Sequence, residues 1–396
     1  MRIPGTRQTI DQADIDAVTV ALQSDFLTTG PGVTEFENAF ATATDSRFAV
    51  AVNSGTAALH AAMFATGVGE LSGGLETDEV IVPAISFVAT ANAVLYQNAK
   101  PVFADVESDT LRIDVDDVQR KITSRTKAII AMDYAGQPCD YAALRELADR
   151  HRLLLIADAC HSLGAQVGAR KVGSLADVTC FSLHPAKQIT TCEGGVATTD
   201  DQEVASRIRA FRNHGIPTDH RARERKITHQ YSMESLGYNC RLSDVQCALG
   251  LSQLGRLAEF TEKRNRLASL YDSLLADCGF AAPLRTEDSV DHARHLYVVA
   301  WNQDAAGCDR DQAFDSLRRQ GIGVNVHYRP IYDHPYYQRL IARGQIQSPQ
   351  CHVADDVYGR VLSLPIFPTM TEKEVCLVVD TLKSVATIQS TTKVAA

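Results

Sequence analysis

The stretch Phe181–Ser182–Leu183–His184–Pro185–Ala186–Lys187–Gln188–Ile189–Thr190–Thr191–Cys192–Glu193–Gly194–Gly195 decides how this chain is read. It is entered from a β-prone run at 178–181 and left through a glycine pair before another at 196–199. Pro185 has no N–H and a fixed φ, so Lys187 leaves a strand end on a turn and does not sit inside a ladder. Taken alone, such a lysine is more often a solvated surface residue than a reactive one. The decisive feature lies upstream, in Arg152–Leu153–Leu154–Leu155–Ile156–Ala157–Asp158–Ala159–Cys160–His161. This is an apolar strand of the buried parallel kind, and it delivers Asp158 at its carboxyl end, where open α/β sheets bind ligands. A lysine and an aspartate at two strand ends point to one site, although a lone strand-end Asp also serves to cap the next helix.

Outward from this pair, strands alternate with helices. A helix is expected over 10–23, with Ile15, Val18 and Leu22 on one spacing behind Thr9 and a capping box to Gln12. A second follows over 33–41 beyond Thr28–Thr29–Gly30–Pro31. A strand at 48–52 turns through Asn53–Ser54–Gly55 into a helix over 56–65. The first amides of that helix, with its dipole, suit a phosphate, and a plain Ser54 N-cap explains the same residues. Strands at 79–82, 101–104, 128–132 and 153–157, with helices at 89–96 and 141–150, imply a mostly parallel α/β sheet. A long helical run over 245–275 contains the expected domain boundary near Gly255. It divides a large α/β domain, 1–255, from a smaller α+β domain, 256–396, with strands at 295–301 and 323–327 and helices at 312–319 and 371–384. The tail beyond Ile388 has no core to join and is expected to be mobile.

Composition narrows the function. The chain has 396 residues, 45% of them apolar and 22% charged, as in a globular protein with ample core. Its net charge of −9 argues against nucleic acid, which needs a basic surface. One basic cluster, 221–226, reads as a solvated loop or as a partner for a diphosphate. The ten cysteines form no C-x-x-C pair and read as free thiols in a reducing cytoplasm, with no metal site. No apolar run reaches the roughly 18 residues of a membrane span, and the amino-terminal residues lack the apolar core of a signal peptide.

The spacing of Asp158, Ser182 and Lys187, with Asn53–Ser54–Gly55–Thr56 before and Gly237–Tyr238–Asn239–Cys240–Arg241–Leu242–Ser243–Asp244 after, resembles the DegT/DnrJ/EryC1/StrS family of sugar aminotransferases. The resemblance runs from about residue 3 to about residue 379, in the family's order. It implies a fold-type I, aspartate aminotransferase-like α/β fold and pyridoxal 5′-phosphate (PLP) as cofactor. By the same resemblance Lys187 holds the cofactor covalently and then moves a proton, while Asp158 keeps the pyridine nitrogen protonated. Gly55, Thr56 and Ser182 take the phosphate, and Asn239 reaches the phosphate of a neighbouring subunit's cofactor, which implies a homodimer with shared sites. Phe87 matches an aromatic that stacks on the pyridine, although a Phe after a strand is more often core. His161 falls near the phenolic oxygen, or is a buried, hydrogen-bonded histidine.

Three further segments, 24–31, 85–92 and 326–332, resemble family members that aminate a UDP-linked 4-keto-6-deoxy-N-acetylhexosamine at C4. In those members glutamate is the donor, 2-oxoglutarate the by-product and pseudaminic acid the end of the pathway. His327 and Tyr328 match a segment near the sugar nucleotide, and Arg329 stands there where relatives often carry an uncharged residue. The rival expectations are another keto-sugar, a C4 epimer or a 3-keto compound, and a non-catalytic regulatory homologue. Intact Lys187 and Asp158 speak against the last, because a binding module has no chemical need of either.

Overall fold

Seven strands build the large sheet of the computed structural model, which describes residues 3–218 and 227–394, the side chains as far as 386. They are β1 (Phe48–Val52), β2 (Glu79–Pro83), β3 (Lys100–Ala104), β4 (Thr126–Met132) and β5 (Leu154–Asp158). After a short hairpin, β6 (Gln166–Val167) and β7 (Arg170–Lys171), come β8 (Val178–Ser182) and β9 (Gly195–Thr199). The order across the sheet is β1-β9-β8-β5-β4-β2-β3. Neighbours from β3 to β8 pair in parallel, and β9 runs against both β8 and β1. The expected mostly parallel α/β sheet is therefore present, with one reversed strand inside it.

Successive strand residues feed opposite faces, as the pleat requires. Val80, Val82, Ala128, Ile130 and Ile156 join one buried cluster, and Ile81, Ile129, Ala131, Leu155 and Ala157 join another. Each buried Val, Ile or Leu contributes about 1.5–3 kcal/mol, so these near-continuous apolar strands anchor the framework that holds the site. Strand β5 is apolar up to its last residue, Asp158.

The carboxyl-terminal part adds an antiparallel sheet of β10 (Ala281–Pro283), β12 (Tyr297–Trp301) and β13 (Val361–Leu364), while β11 (Val290–Asp291) pairs with β6. Helices Leu257–Leu275 and Glu372–Val394 contribute to the third core around Trp301 and Tyr271. The run expected over 245–275 is two helices, Asp244–Leu254 and Leu257–Leu275, interrupted at Gly255 and Arg256. Helix Glu372–Val394 continues past residue 388. The side chains of the tail expected to be mobile and the basic cluster at 221–226 lie outside the described residues.

Two expectations need correction. The first helix is Gln12–Leu22, capped by Asp11 in a reciprocal capping box with Asp14, not by Thr9 with Gln12. Its buried side carries Asp14, which accepts from Ser252 Oγ (2.6 Å) and Gln253 Nε2 (2.6 Å), whereas Ile15 and Leu22 are exposed. Residues 323–327 form no strand. Ile322 bridges to Ile3 and Asn325 to Ser363, so the segment crosses between two partners and never runs alongside one. Among the described residues no helix is long and apolar enough to cross a membrane, and all ten cysteines are free.

Candidate active site

The site lies where β1, β5 and β8 end and β9 begins. Ser54 caps helix Gly55–Thr66 by accepting from Ala57 N, and its carbonyl accepts from Ala58 N. This leaves the amides of Gly55 and Thr56 as the free donors of the helix start, so the Ser54 N-cap leaves room for an anion at the same turn. A Cβ at Gly55 would come within 2.8 Å of Ser182 Cβ and 3.1 Å of Cys160 Sγ. Only glycine lets the helix start approach the end of β8 this closely.

Asp158 is buried at the end of β5, where its Oδ2 accepts from Thr90 Oγ1 at 2.6 Å and its Oδ1 from Cys160 N at 3.3 Å. Lys187 stands on the turn after β8, and its Nζ lies 3.4 Å from His295 Nε2. Burial pushes the Lys187 ammonium pKa down against the opposing pull of Asp158 and Cys160, so the neutral, nucleophilic amine is favoured more than in a solvated lysine.

Three histidines surround that amine. His161 and His295 have ring centroids 4.2 Å apart, and burial beside Lys187 holds both pKa values well below the ordinary imidazole range. His327, lowered to about 4 by burial and by Lys187, hydrogen-bonds Ser363 Oγ (2.8 Å) and Asn325 Nδ2 (3.2 Å). Tyr328 OH lies 3.0 Å from His161 Nε2, and Gln188 Nε2 donates to the His161 carbonyl. Buried Nδ1 atoms of His161 and His295 have no hydrogen-bond partner among the described residues. Phe87 is 55% exposed, 6.1 Å from the Tyr328 ring, so it is an open wall and not the core residue that a Phe after a strand usually is.

Gly55, Thr56, Asp158, His161, Ser182, Lys187, Phe87, His327 and Tyr328 thus belong to one neighbourhood. Two expected residues stand apart. Asn239 is exposed on a segment that adjoins the end of β1 through the Val52–Arg241 bridge, and no contact joins its side chain to Lys187. Arg329 makes an exposed ion pair with Asp333 (3.8 Å). His295 and Thr90 were missed. His295 opens an apolar strand far along the chain from Lys187, and Thr90 reads as an ordinary hydroxyl early in a helix, so neither carries a local signal.

The residues fit PLP. A lysine amine whose pKa burial lowers, a strand-end carboxylate with lone pairs to spare, a glycine-tight helix start, an orphaned buried imidazole nitrogen and an exposed aromatic match the cofactor's aldehyde, pyridine nitrogen, phosphate, phenolic oxygen and ring face. Fold and site together define a fold-type I, PLP-dependent sugar aminotransferase. The chain belongs to the DegT/DnrJ/EryC1/StrS aminotransferase family, whose model matches residues 8–383. It is 37% identical over 383 residues to the UDP-4-amino-4,6-dideoxy-N-acetyl-beta-L-altrosamine transaminase of Campylobacter jejuni subsp. jejuni serotype O:23/36 (strain 81-176), covering 96% of each chain. Among solved structures it superposes on Helicobacter pylori PseC, an aminotransferase involved in the biosynthesis of pseudoaminic acid. The TM-score is 0.89 at 32% identity, over 97% of this chain and 99% of that one. It also matches the PLP-form of the putative sugar aminotransferase Spr1654 from Streptococcus pneumoniae, with a TM-score of 0.88 at 28% identity, over 98% and 100% of the two chains.

Proposed function

We propose that the protein transfers the amino group of glutamate to the C4 ketone of a UDP-linked 4-keto-6-deoxy-N-acetylhexosamine, in the cytoplasm and on the route to pseudaminic acid. The observation that carries the chemistry is the half-buried Lys187, its amine in the company of neutral histidines and beside the strand end that bears Asp158. When bound, PLP withdraws electrons from the donor's α-carbon, provided its ring nitrogen stays protonated. In this reading Asp158 holds that proton, and Gly55, Thr56 and Ser182 bind the phosphate. His161 donates to the phenolic oxygen, Phe87 covers the ring, and Lys187 first binds the cofactor and then carries the proton. His327, Tyr328 and Arg329 flank the sugar. The resemblance at 24–31, 85–92 and 326–332 and the relatives named above support the acceptor.

The active form is a homodimer. Ile15, Leu22, Phe26 and Leu27, together with Ile227, Met233, Leu236 and Tyr238, leave apolar surface uncovered on one chain, and Asn239 directly follows the second of these stretches. We place the boundary between the large and small domains at Gly255.

Two measurements test the reading. Borohydride reduction of the yellow holoenzyme should fix the cofactor to Lys187, and a mass-spectrometric adduct on another lysine refutes the site. A comparison of kcat/KM for UDP-2-acetamido-2,6-dideoxy-β-L-arabino-hexos-4-ulose and its D-xylo epimer, with glutamate as donor, tests the acceptor. The first should be preferred, with some cross-reaction, because discrimination by pocket shape amounts to about 1–3 kcal/mol. Preference for the D-xylo sugar moves the assignment to the epimer.

A further inference from the structure

An aspartate side chain turns easily about its last torsion, which has broad minima, so a carboxylate that must face a ring nitrogen needs something to fix its plane. The amide of Cys160 reaches Oδ1 only at 3.3 Å, a weak restraint. Thr90 Oγ1 lies 2.6 Å from Oδ2, a length typical of a hydroxyl donating to a charged oxygen. The single hydroxyl hydrogen of Thr90 is committed to Asp158, so the 2.6 Å contact between Ser86 Oγ and Thr90 Oγ1 has Ser86 as the donor. Ser86, Thr90 and Asp158 are 1%, 0% and 3% exposed, so bulk water does not supply these hydrogen bonds. A helical threonine with a purely local role would donate to a carbonyl three or four residues back. Thr90 reaches instead to a residue 68 positions away. Its own amide donates to Phe87 O (3.1 Å), so one short turn both presents Phe87 to the open site and clamps Asp158.

We propose that Thr90, backed by Ser86, is a positioning residue for Asp158: a two-hydroxyl relay that holds the carboxylate in the plane from which it meets the cofactor's ring nitrogen. The proposal rests on the reading that Asp158 holds that nitrogen. The relay leaves Asp158 its remaining lone pairs on the cofactor side, since a carboxylate has about four acceptor sites and two are engaged within the protein.

The test uses the full-length holoenzyme with Thr90→Val, which keeps the shape and removes the donor, Thr90→Ser, which keeps the donor, and Ser86→Ala alone and with Thr90→Val. For each, the PLP dissociation constant of the apoprotein, the pH dependence of the bound cofactor's absorption and the separate kcat and KM are measured. Thr90→Val should weaken PLP binding and lower kcat by about 10-fold each, as expected for one hydrogen bond to a charged group, with little change in the acceptor KM. The midpoint of the absorption change with pH should move, and Thr90→Ser should restore all three. Ser86→Ala should cost less and add nothing in the Thr90→Val background, because its effect passes through Thr90. An unchanged dissociation constant and spectrum in Thr90→Val, or failure of Thr90→Ser to restore them, overturns the proposal. Should Thr90→Val fail to fold, Thr90→Cys, a weak donor of similar size, must show the same loss. Asp158→Asn run alongside separates the two claims. If it turns over nearly normally with PLP bound, the role of Asp158 falls, whereas a crippled Asp158→Asn with an indifferent Thr90→Val removes only the relay.

Discussion

The two edges of the large sheet make opposite use of their polar groups. Where β5 and β8 begin, a groove of about 1110 Å³ is lined by Arg47, Arg145, Asp177, Asp200 and Arg207 among others. Its charges are met from within the protein. Arg145 pairs with Asp177 (3.0 Å), Arg47 N donates to Asp200 (2.7 Å) and Arg207 donates to the carbonyls of Phe64 and Ser72. At the other edge, where the same strands end, two buried imidazole nitrogens have no partner among the described residues, and a lysine amine lies within hydrogen-bond distance of a neutral histidine. The larger space is not the reactive one. Single unmet polar atoms occur elsewhere in the fold, such as His60 Nε2 and Thr179 Oγ1, but two of them gathered beside one lysine mark a place that a ligand can complete.

This contrast can be broken at either edge, and the largest effect should come from Lys187. Lys187→Ala loses both covalent capture and the proton carrier, so turnover should fall by at least about 10⁴-fold while PLP still binds, as read by equilibrium dialysis. Activity within 100-fold of the parent would move the chemistry elsewhere. Asp158→Asn should keep the fold by circular dichroism and lose about 10²–10³-fold in kcat, the scale of removing one electrostatic contact to the reacting system. Dissociation is the next test: light scattering should find a dimer, and a monomer with full activity at high dilution would mean that each chain holds a complete site.

Acid should act through the histidine edge. His327 is held at about 4 and His161 and His295 well below their ordinary value, so between about 6.5 and 4 the unfolded chain binds more protons than the folded one. Stability therefore falls as pH drops through that window. Asp133, raised to about 6 by burial, opposes this, because the folded form keeps its proton where the unfolded carboxyl has lost it. His60, also held at about 4, and His292, also held well below its ordinary value by burial, add to these three, and five histidines against one aspartate should leave a net decrease in Tm of several degrees from pH 7 to pH 5 by differential scanning fluorimetry. A rising Tm would show that Asp133 dominates. The smallest effect belongs to the paired edge. Arg145→Ala should change stability by no more than about 1 kcal/mol and leave kcat/KM within two-fold, since partly exposed ion pairs contribute little.

Much of this was legible in the sequence for a physical reason. A parallel strand buried on both faces is an unbroken apolar run, so the polar residue ending it, Asp158, stands out, and Pro185 marks Lys187 as lying on a turn. The elbow at Ser54–Gly55 is legible because tight strand-to-helix turns demand small residues. Surface periodicity was less informative. Ile15 and Leu22 share a spacing that announces an apolar face, but spacing does not say whether that face meets its own chain, and here the chain buries Asp14 instead. His295 and Thr90 were invisible because their partners are distant in sequence. The 323–327 segment looked like a strand because it is apolar and extended, yet a strand needs one continuous neighbour, and this segment bridges to two.

The reversal of β9 has a consequence for assembly. Because β8 and β9 are antiparallel neighbours, residues 183–194 close as a hairpin loop, tied by Leu183 N to Gly194 O (2.8 Å) and Thr191 N to Leu183 O (3.1 Å). A parallel neighbour would need a crossover that returns the chain to the other end of the sheet, usually through a helix. The loop that carries Lys187 can thus close locally on its own strand pair, but its seat is made by distant partners: Gln188 donates to the His161 carbonyl, Lys187 meets His295, and Gln246 donates to the carbonyls of Thr191 and Glu193. The lysine turn is in this sense local in its closure and non-local in its placement: β8 and β9 can pair before the neighbours that surround the amine have arrived.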